Sequence, residues 1–467
     1  MISKDKVIKV SVVTATAIVI ANMVGTGVFT SLGYQVMGIK SIFALLMLWI
    51  VGGIMAFCGA LSYSELGAAM PRSGGEYTYL SKIYHPSIGF LSGFASVFVG
   101  FAAPIALAAM ALGGYFCSVF PAFDKIWVGA GVVVFITIVH SINLIIGSRF
   151  QKVVTSLKVL LILVFIILGF FMGDHQAITV LPVNGSWREV FSASFAISLI
   201  YVSYAYSGWN ASAYIAGEIE NPQKNLPKSI LSGTLIVMGL YVLLNFIFLY
   251  SVPISGMADA QGNPIIEIGS LSAASILGST GGNIMSLVIS ILLISTISSM
   301  VFAGPRVAMV IGEDIKSLRL IGKKSKKGIP VIAILTQSTI ALIFIFTSSF
   351  GFVMKYLGLT LTLFTTLSVV GLFVLRIKKP DMPRPFKTWG YPVTPIIFIA
   401  LNIWMFYFTV GDSSPVMGSD GSPIRPLGLF TLTQGISVAL AGFATLAAGI
   451  IFYLVSKYFS KKPMSNN

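Results

Sequence analysis

Long apolar runs separated by short polar breaks dominate the sequence. A membrane-spanning helix needs about 20 apolar residues in succession, and such runs recur along the whole chain. The pattern predicts twelve spans, at 8–31, 41–68, 88–119, 127–146, 153–172, 191–216, 229–252, 283–310, 330–348, 353–375, 393–411 and 429–456. The breaks between them are too short to hold a soluble domain, so we expect an all-α integral membrane protein.

The composition agrees with a membrane protein. Of the 467 residues, 56% are hydrophobic and 10% are charged, and the mean hydropathy is +0.92. Soluble proteins carry about 25% charged residues, so a cytosolic enzyme, a secreted disulfide scaffold and a disordered regulator are excluded. His85, His140 and His175 lack the spacing of metal ligands. We therefore expect no metal and no cofactor.

The net charge of +15 is distributed unevenly along the chain. The N-terminal tail, the even-numbered loops with their adjoining span ends, and the C-terminal tail hold 24 of the 30 Lys and Arg residues. The odd-numbered loops hold 5, which are Lys40, Lys125, Arg188, Lys355 and Arg425. By the positive-inside rule both termini are expected in the cytoplasm and the protein in the cell membrane. The distribution of positive charge therefore indicates membrane topology rather than nucleic-acid binding, and we expect no nucleic-acid partner.

Spans 1 and 6 are interrupted by helix-weakening residues at corresponding places. Residues 22–29 read Asn-Met-Val-Gly-Thr-Gly-Val-Phe, and residues 204–210 read Tyr-Ala-Tyr-Ser-Gly-Trp-Asn. Such residues also allow close helix packing, but matched interruptions in two halves are typical of an inverted repeat with a substrate site between the halves. We therefore predict repeats at 1–173 (spans 1–5) and 190–376 (spans 6–10), two extra spans within 390–458, and a cytoplasmic tail at 459–467.

An unwound helix in a membrane exposes backbone groups that need a polar partner. The N-terminus of a half-helix favours a carboxylate, and the carbonyls at a half-helix C-terminus favour an ammonium. A free amino acid carries both groups a few ångströms apart. The two interrupted stretches, 22–29 and 204–210, are therefore predicted to form the substrate site, and Tyr204, Tyr206 and Trp209 are either core aromatics or an aromatic lid over the substrate.

Lys158 lies inside predicted span 5 and is the one Lys or Arg that the counts for the tails and loops leave over. Either its side chain extends to the cytoplasmic interface, or its ammonium points inward to a position where a transporter could hold Na⁺ or exchange a proton. The spacing alone does not choose between these interpretations. Glu65 and Glu218, near cytoplasmic span ends, are expected to anchor loops, and His140 is expected to make a helix–helix contact.

Four motifs, in order along the chain, carry a resemblance to a known family. They are residues 25–29 (Gly-Thr-Gly-Val-Phe), 65–67 with 71–77, 206–210 with 217–227, and 383–387 with 390–392. The sequence resembles the amino acid–polyamine–organocation (APC) superfamily over almost its whole length, and is similar to bacterial amino acid permeases and L-type exchangers. The resemblance implies a LeuT-like fold of five-plus-five inverted repeats with two extra helices, and transport by alternating access.

The resemblance also assigns roles to the site residues. The substrate-binding residues that it implies are Met23, Gly25, Thr26, Gly27, Tyr204, Ala205, Ser207, Gly208 and Asn210, with Tyr204 and Trp209 as an aromatic gate. It implies that the amides of Thr26 and Gly27 and the Thr26 hydroxyl hold the substrate carboxylate. The α-ammonium would lie on the carbonyls of Met23, Tyr204 and Ser207. Lys158 matches the lysine that replaces a sodium ion in sodium-independent members, with the backbone near Gly25 and the hydroxyl of Ser298 or Ser299 as its expected partners. Candidates for the side-chain pocket are Phe101, Pro104, Ile105 and Ala109.

We therefore predict a sodium-independent transporter of neutral amino acids, which acts by exchange or by symport with H⁺. Asn210 stands where arginine-type exchangers of the superfamily have a carboxylate, which disfavours a guanidinium substrate. The alternative is a carrier of cationic amino acids or polyamines. A membrane-embedded enzyme would need a cluster of acidic residues or histidines, and a channel would need symmetric subunits. Neither class fits this sequence, and the prediction includes no accessory subunit.

Overall fold

The structure is a computed structural model, and it describes residues 9–142, 145–173, 176–315, 318–325, 328–414 and 433–461. Within these ranges nine helices are long and apolar enough to cross a membrane. Three shorter apolar helices, Ser156–Phe171, Ala193–Tyr206 and Val331–Thr347, coincide with predicted spans 5, 6 and 9. Each predicted span therefore overlaps an apolar helix. The predicted tail at 459–467 and Arg425 lie largely or wholly outside the described residues, as does His175.

Among the described residues, the first part of the chain contains nine α-helices. They are α1 (Val12–Met23), α2 (Gly27–Gly38), α3 (Ile42–Ala69), α4 (Glu76–Ile83), α5 (Pro86–Ala95), α6 (Ala102–Val119), α7 (Lys125–Ile142), α8 (Ile145–Phe171) and α9 (Ser186–Val190). A π-helical turn, Ser96–Gly100, joins α5 to α6 within the third span. Such turns are frequent at functional sites.

The second part contains eight more. They are α10 (Ala193–Tyr206), α11 (Ala211–Tyr214), α12 (Pro222–Ser251), α13 (Ile268–Asp314), α14 (Val331–Thr347), α15 (Phe350–Lys378), α16 (Val393–Val410) and α17 (Gln434–Lys461). Helix α13 consists of two helical segments that meet at a kink at Gly278, and the predicted span at 283–310 lies within the second segment. The Ser- and Gly-rich stretch before residue 283 lowers the local hydropathy, although it is helical apart from Gly278 (φ +76°).

Serine side chains start several of the spanning helices. The hydroxyl oxygens of Ser11, Ser41, Ser192 and Ser349 each accept a hydrogen bond from the amide three residues later. Serine is favoured at this position because it satisfies an amide that has no partner inside the helix. The beginnings of α1, α3, α10 and α15 are therefore fixed by local sequence as well as by hydropathy.

Glu65, near the end of α3, anchors the loop that follows α15. Its carboxylate accepts hydrogen bonds from Arg376 at 2.6 and 2.9 Å and from the Thr388 amide at 2.7 Å. Arg384 completes the cluster at 3.4 Å. The expected loop-anchoring role of Glu65 is confirmed.

Nearby, Arg72 in the loop before α4 pairs with Asp314 at 2.8 Å, and this hydrogen bond raises the pKa of the Arg72 guanidinium.

Candidate functional site

Both predicted helix breaks are present. Helix α1 ends at Met23 and α2 begins at Gly27, with Val24 in a non-helical conformation (φ −73°, ψ 88°). Helix α10 ends at Tyr206 and α11 begins at Ala211, after Gly208 at φ +99°. Only glycine adopts this left-handed conformation without strain, so Gly208 is required where it stands.

The two breaks lie directly against each other. A Cβ atom added to Gly27 would lie 2.5 Å from the Cα of Ala205. A Cβ atom on Gly208 would lie 2.8 Å from the backbone carbonyl of Asn22. The sequence placed these residues in two corresponding spans, and the fold brings them into one site.

Tyr241 of α12 connects the two breaks through hydrogen bonds from its hydroxyl to a backbone carbonyl of each. Its buried hydroxyl lies 2.5 Å from the carbonyl oxygen of Met23 and 3.2 Å from that of Ala205. Sequence reasoning missed this residue, because a tyrosine in an apolar span has no local signal that separates it from ordinary core. The Tyr204 carbonyl accepts the Ser207 amide at 2.9 Å. Since a carbonyl oxygen has two lone pairs, Met23 and Tyr204 each keep one acceptor position.

The buried hydroxyl of Thr26 lies at the gap between α1 and α2. Its hydroxyl has no hydrogen-bond partner of good geometry among the described residues, although the phenol of Tyr204 lies beside it. The N–H groups in the first turn of α2 have no partner within the helix. The start of α2 thus presents several hydrogen-bond donors at one point.

Lys158 points into the protein. Its side chain is 1% exposed, and Nζ donates to the Val24 carbonyl at 3.2 Å and to Thr296 Oγ1 at 2.7 Å. The backbone partner adjoins Gly25, as expected, but the hydroxyl partner is Thr296 and neither Ser298 nor Ser299. Two residues along a helix turn the side chain to the opposite face, where Ser298 bonds His140 at 2.8 Å, while Ser299 donates to the Thr296 carbonyl. His140 makes the expected helix–helix contact.

A cavity of about 640 Å³ opens beside the two breaks, within the range of small-molecule sites. Phe101 and Pro104 line it, whereas Ile105 and Ala109 do not. Its wall includes every predicted substrate-binding residue: Met23, Gly25, Thr26, Gly27, Tyr204, Ala205, Ser207, Gly208 and Asn210. The cavity continues along α13 to Lys9, Glu218 and Arg306, at the end of the bundle where the described chain begins.

Two predicted site residues are engaged in packing or hydrogen bonds. The Trp209 ring packs edge-on against Tyr63 and Phe398, at centroid distances of 4.8 and 6.3 Å. Asn210 donates to the buried carboxylate of Glu76 at 2.6 Å. Tyr63 donates to the same oxygen at 2.9 Å. Glu76 was not among the predicted residues, because it lies in the loop after span 2 and only the fold brings it to Asn210.

Comparison with known proteins identifies the family. The family model described as amino acid permease matches residues 10–432, which is most of the chain. The chain belongs to the amino acid permease family. The serine/threonine exchanger SteT of Bacillus subtilis is 28% identical over 416 residues, covering 87% of this chain and 91% of SteT. This permease is also similar to the mouse b(0,+)-type amino acid transporter 1, at 26% identity over 85% of this chain and 81% of the relative.

A human relative extends the match over nearly the whole permease. The large neutral amino acids transporter small subunit 2 of Homo sapiens is 26% identical over 471 residues, which cover 97% of this chain and 81% of that protein. The expected superfamily is thereby confirmed, and the relatives named here are transporters rather than enzymes.

Proposed function

We propose that this permease is a sodium-independent exchanger of neutral amino acids that works by alternating access. The observation that carries the proposal is the meeting of two helix breaks at one cavity, with the Lys158 ammonium bound at the first break. The named relatives, an exchanger and amino acid transporters, support the same substrate class.

The substrate backbone is assigned to the bare peptide groups at the two breaks. Its carboxylate lies at the N-terminus of α2, on the Thr26 and Gly27 amides and the unpartnered Thr26 hydroxyl, where the helix dipole favours a negative charge. Its ammonium lies on the carbonyls of Met23, Tyr204 and Ser207, at the C-terminal ends of α1 and α10. In this assignment Tyr204 closes over the bound substrate, with Trp209 as its neighbour in the gate.

The wall of the cavity favours a neutral side chain. Of the described residues that line it, Glu218 alone is acidic, and Glu218 lies at the mouth rather than beside the breaks. A lysine, arginine or polyamine substrate would need a carboxylate near its second charge, and Glu76, which accepts hydrogen bonds from Asn210 and Tyr63 on one carboxylate oxygen, is not among the described residues that line the cavity. The cationic alternative is therefore disfavoured.

Lys158 supplies the positive charge that a sodium ion would otherwise bring to this position. Its ammonium bonds a carbonyl oxygen of the first break and a hydroxyl of α13, which are the hard oxygen ligands that small cations take. A covalently attached cation at this point removes the need for Na⁺. In this proposal Ser298 and Ser299 contribute through their positions next to Thr296 on α13, and Thr296 is the residue that bonds Lys158.

For the architecture we propose twelve spans in a LeuT-like arrangement with both termini in the cytoplasm. The repeats are 1–173 and 190–376, followed by two helices within 390–458 and a tail at 459–467. The positions of the two breaks, in the first span of each repeat, support this division. With this orientation the cavity opens to the cytoplasm, and the proposal requires no accessory subunit.

Uptake into proteoliposomes tests the function. Purified protein is reconstituted in sodium-free buffer, and uptake of labelled neutral amino acids is measured with and without unlabelled amino acid inside. We expect the internal amino acid to accelerate uptake several-fold. If preloading has no effect but an inward proton gradient drives uptake, the exchange mechanism is wrong and H⁺ symport replaces it.

A further inference from the structure

Arg306 lies in the cavity at a distance from the proposed substrate site. The residues Thr296, Ser299, Ala303, Arg306 and Val310 form one face of α13, and all of them line the cavity. Ten residues separate Thr296 from Arg306, which corresponds to about 15 Å along a helix. Arg306 is therefore well outside the reach of an amino acid bound at the two breaks, on the path toward the mouth.

The guanidinium of Arg306 has unused hydrogen-bond donors. It stacks on the ring of Phe302 at 3.8 Å, which fixes its plane. Among the residues that the structure describes, it makes no hydrogen bond and no ion pair. A half-buried arginine with five free N–H donors is a strong site for a carboxylate, which it binds through two parallel hydrogen bonds.

Glu218 provides the opposite charge at the same level of the cavity. Its carboxylate was expected to anchor a loop, but its side chain makes no hydrogen bond within the described part of the chain and is exposed at the mouth. Glu218 is close enough to Arg306 for an electrostatic interaction, yet no N–O distance between them is within 4.0 Å. The two charges thus share one cavity and leave space between them.

We propose that Arg306 and Glu218 form a second, transient binding position for a zwitterionic amino acid between the mouth of the cavity and the central site. The substrate carboxylate pairs with the Arg306 guanidinium, and the substrate ammonium pairs with Glu218. This inference rests on the proposed transport of amino acids. It adds a position that collects substrate from one side of the membrane before the substrate reaches the helix breaks.

The kinetic consequence is confined to one face of the membrane. A charged position at the mouth of a low-dielectric cavity raises the local concentration of substrate that enters there. This charged position makes no contact with substrate that enters from the opposite face, because the mouth is closed at that stage. Loss of the position should therefore raise KM on the face of the mouth and leave KM on the other face unchanged.

Transport kinetics from the two faces test the proposal. Right-side-out and inside-out vesicles from the same cells are assayed for exchange of labelled L-serine, or of L-leucine if the wild-type uptake panel favours larger side chains. The variants are Arg306→Gln, Arg306→Lys and Glu218→Gln. Lys9→Gln is the matched control, since Lys9 is an exposed cation that lines the same mouth. Thermal unfolding of each purified variant with and without the amino acid checks folding and the central site.

We expect Arg306→Gln and Glu218→Gln each to raise KM about threefold to tenfold on one face, the size of effect typical of a lost partly exposed charge contact. Arg306→Lys should have a smaller effect and Lys9→Gln none. Unchanged KM values on both faces would overturn the proposal. So would equal loss of maximal rate from both faces, because that result indicates an ion pair that forms when the mouth closes. If the wild type neither binds nor exchanges any amino acid, the proposed function itself fails.

Discussion

The Nζ atom of Lys158 lies 3.2 Å from the carbonyl oxygen of Val24, the residue at which α1 stops being helical. The same ammonium binds Thr296 on α13 at 2.7 Å. One buried cation therefore joins the first helix break to a helix that lines the cavity. Because a break in a membrane helix leaves carbonyl groups without partners, the lysine both stabilises the break and couples its shape to α13.

Lys158→Ala should abolish sodium-independent uptake without loss of protein in the membrane, because the Val24 carbonyl and the Thr296 hydroxyl lose their shared donor. Uptake and fluorescence-detected size-exclusion chromatography measure the two effects. Thr296→Ala should weaken transport, whereas Ser299→Ala, one helical turn away and without contact to Lys158, should change it little. Wild-type uptake by Lys158→Ala at all pH values would refute the coupling role.

Gly27→Ala should disrupt the site, because its Cβ atom would meet the backbone of Ala205 at 2.5 Å. Overpacking of this kind destabilises by about 1–3 kcal/mol. The matched control is Gly239→Ala on α12, where no atom lies within 4 Å of the added carbon. Thermal unfolding in detergent should show a lower midpoint for Gly27→Ala and no decrease for Gly239→Ala. Equal stability of the two variants would show that the breaks do not touch.

Tyr241→Phe should destabilise the protein by about 1 kcal/mol and reduce transport, since a buried carbonyl loses its donor. The hydroxyl it removes lies between the carbonyls of Met23, the last residue of α1, and Ala205, the last but one of α10. Tyr206→Phe removes a comparable buried hydrogen bond, which runs to the Trp49 carbonyl at 3.0 Å rather than to a carbonyl of either break. We expect similar shifts in unfolding temperature and a transport defect in Tyr241→Phe alone. A transport loss of equal size in both variants would contradict a specific role of Tyr241 in transport.

Thr26→Val should separate binding from stability. Among the described residues the Thr26 hydroxyl has no hydrogen-bond partner of good geometry, so its removal should not lower the unfolding temperature of the free protein. If it binds the substrate carboxylate, affinity should fall about tenfold, as expected for one lost hydrogen bond to a charged group. Thr26→Ser should bind normally. Unchanged affinity in Thr26→Val, measured by competition with labelled amino acid, would exclude the hydroxyl from the site.

The helix breaks were predictable because their cause is local. Gly25, Thr26 and Gly27 weaken the first span, and Ser207 and Gly208 weaken the sixth, whatever surrounds them. The position of Lys158 inside a span was similarly visible in the sequence, although the spacing alone did not show that its side chain points inward. The helical segment from Ile268 to the kink at Gly278 was not predicted, because its Ser- and Gly-rich sequence lacks the hydropathy by which spans are recognised.

Other parts of the site depend on tertiary packing that no local pattern encodes. Choosing Thr296 over Ser298 and Ser299 requires the rotation of α13 about its axis, which depends on all of its neighbours. The bond between Asn210 and Glu76 joins residues 134 positions apart. Tyr241 reaches the breaks only because α12 packs against α1. Sequence reasoning thus found the elements of the site but not their partners.

Ligand-dependent thermal unfolding in sodium-free detergent addresses the claim that bare peptide groups hold both ends of a zwitterion. L-Serine is compared with ethanolamine, which lacks the carboxylate, and with 3-hydroxypropanoate, which lacks the ammonium. A ligand at 100 times its Kd stabilises the folded state by about 2.7 kcal/mol, so only a binder raises the unfolding temperature. The account predicts that an amino acid does so without sodium and that neither analogue does. Equal stabilisation by either analogue, or stabilisation only when sodium is added, would contradict it.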